Sequence, residues 1–499
     1  SAALQAAENG CNVKLVSSLP SERAQSVMAE GGINAALNTK DENDSPEEHF
    51  TDTIKAACGL ADPNAVWGMT QAAPELVHWL LKLGVKFNMS GYDDVDLRNF
   101  GGQKKKRTAF AQSDTGKQIM TAMIDAVRRK EASGMVERFS HHSFLTLRLC
   151  GNICCGCVIR DEYSQETVEL PGDAVIVATG GMHGLFGNTT GSLSNTGEVT
   201  AELFRLGVPL ANGEMIQYHP TTVKCGGKRM LISEAARGEG GRLFAMKDGK
   251  QWYFMEEKYP ELGNLMPRDI TAREIWKVSH ESEVFLDMTE ISEEIISNKL
   301  SGLADDCMTY LHKDIRKEPV SVLPGIHYFM GGILVDEQHR TPIQNLYAAG
   351  ECCAQYHGAN RLGGNSLLGA LYGGRVAAKS ACEQADVVDL SCATQIDFPP
   401  ASQISEIKQL NKVMQETMGV VRNENTLLNG IQTVQALTGN LPLLGMAVLK
   451  SALARKESRG AHWREDYPKS NDDDYLKTTV ARFDGKQIQI SFVPVPERR

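Results

Sequence analysis

The 499-residue sequence lacks several features that would place it in particular classes of protein. It has no apolar run of eighteen or more residues, so no membrane-spanning helix is predicted. It has no basic surplus, because 62 acidic side chains outnumber 52 basic ones and give a formal net charge of −10. Nucleic-acid binding depends on lysine and arginine displacing counterions, so this balance argues against a nucleic-acid partner.

Cysteine motifs for haem and for metals are also lacking. No C-x-x-C-H motif is present, so no covalently attached c-type haem is expected, and there is no cysteine set for an iron–sulfur cluster. The twelve cysteines are irregularly spaced, which favours a reducing compartment over a secreted disulfide framework. A cluster around the hairpin signal Gly151-Asn152 has no second cluster to complete a metal site, so we predict buried structural cysteines at Cys150, Cys154, Cys155 and Cys157.

The first residues have the pattern of the helix and strand that follow the first strand of a nucleotide-binding domain. Residues 1–9 have the pattern of an amphipathic helix, and Val13–Val16 that of a strand. In doubly wound domains a strand and a G-x-G-x-x-G turn come directly before such a helix. We therefore expect the sequence to be a fragment without this first strand and its phosphate loop, and a signal peptide stays undecided for the same reason.

The order of strand and helix patterns predicts a nucleotide-binding domain in two parts. Alternation of strand and helix is lost after Asn212 and returns after Pro324, which indicates an inserted domain. A Pro- and Ser-bearing linker, Asp397–Ser402, precedes a helical region. The predicted boundaries are 1–211 for the first part, 212–324 for the insertion, 325–396 for the second part, 402–468 for the helical domain and 469–499 for a polar tail.

The stretch Tyr347–Leu371 is rich in glycine and has the composition of a ligand-binding loop. Dense glycine lets a backbone approach a flat or phosphorylated ligand closely. Asn365 and Ser366 stand where a helix N-cap belongs, so the positive end of the helix would face that ligand. Arg361 adds a bidentate donor suited to a carboxylate. The plainer alternative is a glycine-rich connection between a strand and its crossover helix.

Further segments combine basic or imidazole side chains with glycine: QYHPT, SEAARGEGG, GIHYFMGG and MPRD. Each has an ordinary interpretation, such as a structural histidine or a surface ion pair between Arg268 and Asp269. Gathered in one cleft, two histidines and three arginines would bind a small dianion through charge-assisted hydrogen bonds. The residues concerned are His219, Arg237, Arg268, His327 and Arg361.

Several long motifs in a fixed order resemble the flavoprotein subunits of fumarate reductase and succinate dehydrogenase, with L-aspartate oxidase as a close relative. The motifs are AEGGINAAL, VIVATGG, QYHPT, SEAARGEGG, PRD, HYFMGGI, AAGE, HGANRLGGNSLL and ESRGAHWREDYP, and they extend from Ser1 to about Pro468. The resemblance implies an α/β fold: a doubly wound FAD-binding domain of glutathione-reductase type, split by an inserted α+β capping domain and followed by a C-terminal helical domain.

The resemblance also implies a role for each matching residue. Hydride would pass from flavin N5 to fumarate, and Arg268 would protonate the other alkene carbon, supplied with protons through Glu234 and Arg237. His219 and Ser233 would bind one substrate carboxylate, and His327 with Arg361 the other, while Phe100 would pack against the substrate. The implied FAD contacts are Gly31, Gly32, Glu198, Glu351, Asn365, Ser366 and Leu368; no metal is implied.

Two departures from the family pattern concern the cofactor. Gln25 stands where respiratory members have the histidine that bonds covalently to the flavin, and an amide cannot form that bond, so we predict non-covalent FAD. Loss of the bond would lower the flavin potential and favour fumarate reduction. Glu198 replaces the aspartate of the relatives, which is a mild change.

Two alternatives to a fumarate reductase stay open. Aspartate oxidases also hold FAD without a covalent bond, but they carry glutamate for the substrate ammonium where this sequence has Phe100. An ammonium next to Phe100 and several cations would be poorly paired. A non-catalytic flavin electron-transfer protein on the same scaffold is the other alternative, although it would need none of the histidines and arginines.

The resemblance implies partners that the sequence itself does not contain. Electrons would arrive from an iron–sulfur subunit, which in many members of the family docks to a membrane anchor. The expected location is the cytoplasm, or the inner face of the cytoplasmic membrane as a peripheral subunit. The substrate is a small dicarboxylate, fumarate or succinate.

Overall fold

A computed structural model of the chain describes residues 1–91, 94–386, 398 and 403–499. The predicted linker at 397–402 therefore lies outside the described residues, apart from Phe398. The α-helices are α1 (Ala2–Glu8), α2 (Pro46–Ala56), α3 (Pro63–Leu83), α4 (Thr115–Ala132), α5 (Glu198–Arg205), α6 (Glu234–Gly238), α7 (Phe254–Lys258), α8 (Arg268–Val278), α9 (Glu293–Lys299), α10 (Ser301–Asp306), α11 (Asn365–Gln384), α12 (Ile404–Thr417), α13 (Glu424–Val434), α14 (Asn440–Ala454) and α15 (Asp472–Tyr475).

The strands are distributed over several small sheets. They are β1 (Val13–Ser17), β2 (Ile33–Asn34), β3 (Leu97–Arg98), β4 (Thr108–Ala109), β5 (Val136–Ser140), β6 (His142–Cys150), β7 (Ile153–Asp161), β8 (Thr167–Pro171), β9 (Val175–Val177), β10 (Leu210–Ala211), β11 (Ile216–Cys225), β12 (Lys228–Leu231), β13 (Arg242–Lys247), β14 (Lys250–Trp252), β15 (Val284–Asp287), β16 (Val320–Ser321), β17 (Leu323–Phe329), β18 (Gly332–Leu334), β19 (Leu346–Ala348), β20 (Cys353–Ala354), β21 (Lys477–Phe483) and β22 (Ile488–Pro494).

Local sequence explains where the first long helices begin and end. The side chains of Ser45 and Asp62 accept hydrogen bonds from backbone N–H groups in the first turns of α2 and α3, and each helix has proline at its first position. Gly84 ends α3 with a left-handed φ of 103°. α2 therefore begins at Pro46 and α3 at Pro63, directly after these capping residues.

Strands distant in sequence pair to form the nucleotide-binding region. β9, from the motif VIVATGG, pairs in parallel with β19, so Val175 lies opposite Leu346. β1 pairs in parallel with β5. α1 packs on β1, α4 packs on β5, and α11 packs on β9 and β19. Parallel pairs need crossover connections, so this arrangement has the α/β character that the sequence predicts.

The segment between β11 and β17 has a core of its own. β13, β14, β15 and β16 form an antiparallel sheet. The buried residues packed with it run from Ile232 to Val322, and Phe100 joins them from outside the segment. Phe100 therefore connects this core with the loop that precedes β4.

The polar tail predicted over 469–499 is wrong for residues 477–494. β21 and β22 form an antiparallel hairpin, and β21 also pairs with β10, which places Ala481 opposite Leu210. Arg455 secures the hairpin, because its Nη2 donates to the backbone oxygen of Lys477 and to Oγ1 of Thr479, both at 2.7 Å. Apolar and polar residues alternate in β22, and Asp484-Gly485 stands between the two strands, so the pattern of a hairpin is present in the sequence.

The cysteines agree with the prediction only in part. Cys154 and Cys155 are buried in β7, and the turn at Gly151-Asn152 joins β6 to β7 as predicted. Cys150 and Cys157 are only half-buried, and Cys150 is disulfide-bonded. Cys11 is bonded to Cys382, which ties the segment after α1 to α11, so these two cysteines are not free thiols. Within the described ranges, no helix combines the length and the apolarity needed to cross a bilayer.

Candidate active site

Arg268 and Glu234 form a buried ion pair. Arg268 is the first residue of α8, and Glu234 is the first residue of α6, capped by Ser233. Nε and Nη2 of Arg268 donate to Oε2 of Glu234 at 2.8 and 2.6 Å. Oε1 of Glu234 accepts a hydrogen bond from the backbone N–H of Gly101 at 3.1 Å. The pair therefore joins the inserted segment to the loop that carries Phe100.

Arg237 places a second cation beside Glu234. Its Nη2 lies 3.3 Å from Oε1 of Glu234, and its Nη1 donates to the backbone oxygen of Asn264 at 2.7 Å. Burial alone would raise the pKa of Glu234, but the guanidinium groups of Arg268 and Arg237 outweigh it and hold this pKa below its usual value. Burial lowers the pKa of Arg237, against the opposing effect of Glu234. The three side chains form one continuous charged chain.

His219 and His327 meet on two adjacent strands. His219 lies on β11 and His327 on β17, and their rings contact edge to face with centroids 5.1 Å apart. Nδ1 of His327 lies 2.8 Å from Oγ1 of Thr190, whereas Nε2 of His219 is buried without a hydrogen-bond partner among the described residues. Burial first, and then the charge of Arg268, hold the pKa of both imidazoles well below the ordinary value. Both rings are therefore neutral at pH 7.

Arg361 is the third cation of the site and is 3% exposed. Its guanidinium carbon lies 4.3 Å from the ring centroid of Tyr328, and its buried Nε has no acceptor among the described residues. Burial and the charge of Arg268 lower the pKa of Arg361 to about 9, so the side chain is still positive at pH 7. Three guanidinium groups and one carboxylate leave an excess of two positive charges, which suits a dianion.

The loop of Gly31 and Gly32 packs against Phe100. A Cβ added at Gly31 would lie 3.0 Å from the ring of Phe100, which is 2% exposed. Gly32 has a φ of 133°, and a Cβ there would lie 2.5 Å from the backbone oxygen of Ala109. Arg98 holds the loop, since its Nε donates to the backbone oxygen of Gly31 at 3.0 Å. This loop therefore requires glycine at both positions.

Glu351 brings two glycine-rich motifs together. It lies in the single 3₁₀ turn Gly350–Cys352 that follows β19. Its Oε1 accepts the backbone N–H of Phe329 at 3.0 Å, and a Cβ added at Gly181 would lie 2.7 Å from the same oxygen. The motifs AAGE and VIVATGG therefore meet at one carboxylate.

The start of α11 differs slightly from the prediction. Gly364, with a φ of 83°, is the cap, and Asn365 is already the first helical residue. The Oδ1 atom of Asn365 accepts from Asn34 at 2.7 Å and lies 2.9 Å from Nε2 of His49. Its side chain thus fixes the beginning of the helix. Ser366 is half-buried, without a side-chain hydrogen bond to the described residues, and Leu368 is fully buried.

Glu198 stands apart from the other predicted residues. It is the exposed first residue of α5. Among the described residues it makes no ion pair and no side-chain hydrogen bond, and no contact links it to the site. The structure therefore gathers the other predicted residues but not Glu198.

The residues present fit a flavin nucleotide. At Gly32 and Gly181 the backbone packs so closely on Ala109 and on Glu351 that a side chain would clash, so glycine sets the shape of both loops. Nε2 of His183 and Oε2 of Glu30 are buried without a hydrogen-bond partner within the described residues. Buried polar atoms nearly always have partners, so these atoms are suited to a polar ligand. The unpaired polar atoms fit a cofactor that offers many hydrogen-bond acceptors and donors.

Three residues at the site received no role from the sequence. Gln217 accepts from Nη1 of Arg268 at 3.1 Å, and Arg98 holds the Gly31 loop. Glu30 is half-buried as a residue, yet its Oε2 atom is inaccessible, and burial followed by the charge of Asp306 raises its pKa to about 8. The available signal was spacing, since Gln217 lies two positions before His219 in a strand and Arg98 two positions before Phe100.

Comparison with known families agrees with this geometry. The family model described as FAD binding domain matches residues 1–367. A second model, described as Fumarate reductase flavoprotein C-term, matches residues 437–498 and thus includes β21 and β22. Together these models account for the nucleotide-binding region, the inserted segment and the C-terminal hairpin.

Individual relatives match over almost the whole chain. The succinate dehydrogenase flavoprotein subunit of Bacillus subtilis is 37% identical, with 100% of this chain and 96% of the relative covered. The 8-methylmenaquinol:fumarate reductase flavoprotein subunit of Wolinella succinogenes is 31% identical, with 98% and 88% covered. The FrdA structure of quinol fumarate reductase from E. coli superposes with a TM-score of 0.89 at 26% identity, covering 99% of this chain and 95% of that one. The chain therefore belongs to the family of succinate dehydrogenase and fumarate reductase flavoprotein subunits, FAD-dependent oxidoreductases that act on a CH–CH bond.

Proposed function

We propose that the chain is the flavoprotein subunit of a fumarate reductase, which converts fumarate to succinate and can run in reverse as a succinate dehydrogenase. The observation that carries the proposal is the buried chain of Arg268, Glu234 and Arg237 beside Arg361 and two neutral imidazoles. It combines a route for a proton with the charge needed for two carboxylates. A protein that only carries electrons on a flavin would not need such a chain of charged side chains.

Turnover assays test this proposal and the direction. The FAD-loaded protein should reduce fumarate with reduced viologen as the electron donor. Arg268→Ala should abolish this turnover while the protein retains its flavin, whereas unchanged electron transfer would favour the non-catalytic carrier. Succinate oxidation that is tenfold faster than fumarate reduction would contradict the proposed direction.

The mechanism assigns separate tasks to the two ends of the substrate. FAD, when bound, supplies the hydride for one alkene carbon. His219 and Ser233 would hold one carboxylate, and His327 with Arg361 the other, so that the alkene lies beside Arg268. Phe100 would press on the substrate from the Gly31 loop.

Arg268 would protonate the second alkene carbon, and Glu234 and Arg237 would replace that proton. Arginine is ordinarily a very weak acid, with a pKa above ~12, so the transfer must be concerted with hydride delivery. Glu234 is ionised at pH 7, so it would take a proton from Arg237 and pass it to Arg268, which lies within hydrogen-bond distance. The surrounding guanidinium groups would stabilise negative charge that develops on the substrate.

We propose that FAD is bound without a covalent link. Gln25 stands where respiratory relatives have the linking histidine, and its Oε1 accepts the backbone N–H of Ser192 at 2.5 Å. An amide has no nucleophilic nitrogen for the bond. Acid precipitation should release all yellow colour into the supernatant; flavin retained in the pellet would contradict this assignment.

Aspartate oxidation is the second candidate, and the surroundings of Phe100 count against it. A substrate ammonium would meet a buried aromatic ring and three guanidinium groups. Glu234 is already paired with Arg268 and Arg237, and Glu30, with a pKa of about 8, is largely neutral at pH 7, so neither carboxyl group would balance the ammonium. Rapid oxidation of aspartate by oxygen, in an assay parallel to that with fumarate, would reverse this choice.

We further propose the assembly, the location and the domain boundaries from the family. The similar proteins are named as subunits, so an iron–sulfur subunit is the proposed electron donor, with a membrane anchor beyond it. The location would be the cytoplasm or the inner face of the cytoplasmic membrane. The separate core between Ile232 and Val322 supports a capping domain over 212–324 between FAD-binding parts at 1–211 and 325–396, followed by the helical domain from 402. Co-purification with an iron–sulfur protein tests the assembly.

A further inference from the structure

Gln217 and Tyr328 are cross-strand partners that both contact Arg361. Gln217 on β11 and Tyr328 on β17 are opposite each other in the antiparallel register. Opposite residues of such a pair project their side chains to the same face of the sheet. Gln217 is fully buried and Tyr328 nearly so. One side chain contacts the backbone of Arg361, and the other contacts its guanidinium group.

The amide of Gln217 joins the two arginines. Its Nε2 donates to the backbone oxygen of Arg361 and to Oδ1 of Asn360, both at 2.9 Å. Its Oε1 accepts from Nη1 of Arg268 at 3.1 Å. A flipped amide would turn its NH₂ group towards another donor, so only one orientation satisfies all the groups. Gln217 therefore sets the position of Arg268 relative to the loop of Arg361.

The aromatic ring of Tyr328 packs against the guanidinium group of Arg361. The guanidinium carbon lies 4.3 Å from the ring centroid, within the range of a cation–π contact. On another side, His357 packs edge to face against the same ring at 5.3 Å. Among the described residues Arg361 has no side-chain acceptor, so Tyr328 orients its donors without occupying them.

We infer that Gln217 and Tyr328 are positioning residues that together set the spacing between the proton-donating and the carboxylate-binding arginine. This inference rests on the proposed function. A dicarboxylate held at one end by Arg361 reacts only when its alkene carbon is within reach of Arg268. A displacement of about 1 Å in such a site costs roughly a hundredfold in rate. The two residues are opposite each other in one sheet register, so they hold Arg268 and Arg361 from a common strand pair.

Matched variants test the inference on the FAD-loaded protein. Gln217→Glu keeps the size and the acceptor but loses both donors, so kcat for fumarate, normalised to bound flavin, should fall at least tenfold with little change in KM. A carboxylate beside Arg268 should also shift the pH–rate profile. Tyr328→Leu should raise KM at least tenfold, whereas Tyr328→Phe, which keeps the ring, should remain within about twofold of the wild type.

Tyr218→Leu is the control for loss of a buried ring, because Tyr218 lies in the same strand pair and its hydroxyl donates to Met418 at 2.9 Å. A reduced flavin content without a change in flavin-normalised kinetics would show that Gln217 and Tyr328 are merely structural and would overturn the inference. Wild-type kinetics in Gln217→Glu and Tyr328→Leu would overturn it as well.

Failure of the proposed function can be recognised separately. If the wild type does not reduce fumarate, that function is wrong, and the affinity for malonate, followed by flavin absorbance, still tests the positioning role. Tyr328→Leu should then weaken malonate binding about tenfold, and Tyr218→Leu should not. Equal affinity in all three proteins would contradict the inference in that case.

Discussion

Two nitrogens of Arg268 share a single carboxylate oxygen of Glu234, at 2.8 and 2.6 Å. This geometry leaves the other oxygen of Glu234 for Gly101 and Arg237, and it leaves Nη1 of Arg268 for Gln217. The pair therefore also contacts Gly101, Arg237 and Gln217. Glu234 therefore lies between Arg268 and Arg237 and contacts both side chains.

Replacing Glu234 with glutamine should stop turnover and leave the fold intact. The amide keeps the size and can accept from Arg268, but it cannot take up and release a proton. We expect kcat for fumarate to fall roughly a hundredfold or more, since general acid–base groups contribute on this scale. Glu274→Gln is the matched control, because Glu274 is buried in the same segment but pairs with Lys258 and Lys277. Equal losses in both variants would contradict a specific role in proton supply.

Replacing Gly32 with alanine should abolish flavin binding. The new Cβ would lie 2.5 Å from the backbone oxygen of Ala109, and the φ of 133° is unfavourable for any other residue. Gly84→Ala shares a positive φ of 103° but has no atom within 4 Å of the new Cβ, so it isolates the strain from the clash. The measurement is the ratio of flavin to protein after reconstitution. Full flavin content in Gly32→Ala would refute the proposed close approach.

The sequence was informative where function depends on residue type. Histidine, arginine and glycine at His219, Arg268 and Gly32 are unusual enough in their motifs to indicate a dianion site and a cofactor loop. The structure places His219 close enough to Arg268 to be affected by its charge, and the roles of all three residues stay predictions. The alternation of strand and helix also predicted the α/β region, because parallel strands and crossover helices carry distinct periodicities.

The remainder depends on contacts that no local pattern specifies. The pairing of Gln217 with Tyr328 is a matter of register between strands that are more than a hundred residues apart. The hairpin after Lys477 is stabilised by a partner strand at Leu210 and by Arg455, which are contacts that its own sequence does not specify. Glu198 matched a motif position, but no contact connects it with the site. Motifs predict which groups are needed, and tertiary contacts decide where they lie.

Removing the carboxyl group of Glu30 should change how stability depends on pH. Burial, reinforced by Asp306 and opposed by Arg98, raises the pKa of this group from an ordinary 4.5 to about 8. The folded state therefore prefers the neutral form, and stability is lost as pH rises from about 4.5 through 8. In Glu30→Gln this loss should be absent, so Tm should fall less between pH 5 and pH 8.5 than in the wild type, as followed by calorimetry. Identical pH dependence in the two proteins would show that the carboxyl group is not protonated in the fold.

Binding of a dicarboxylate should weaken above the pKa of Arg361, which is about 9. Below that pH the guanidinium is positive, and above it the site loses one of its charges for the ligand. The imidazoles of His219 and His327 are already neutral at pH 7, so they contribute no further change. The pKa of Glu30 is about 8, so its ionisation would add a second change in binding over the same pH range. The experiment is therefore carried out with the Glu30→Gln protein.

The measurement is the Kd of malonate at several pH values from 7 to 10, obtained by titration of the flavin absorbance. In the Glu30→Gln protein the Kd should be nearly constant up to about pH 8.5 and then rise towards tenfold per pH unit, because one bound proton is linked to one bound ligand. Adding Arg361→Gln should weaken binding already at pH 7 and remove the rise, since the titrating charge is then gone. A rise that persists in that variant would assign the titration to another cation of the site, with Arg237 as the next residue to test, because burial also lowers its pKa.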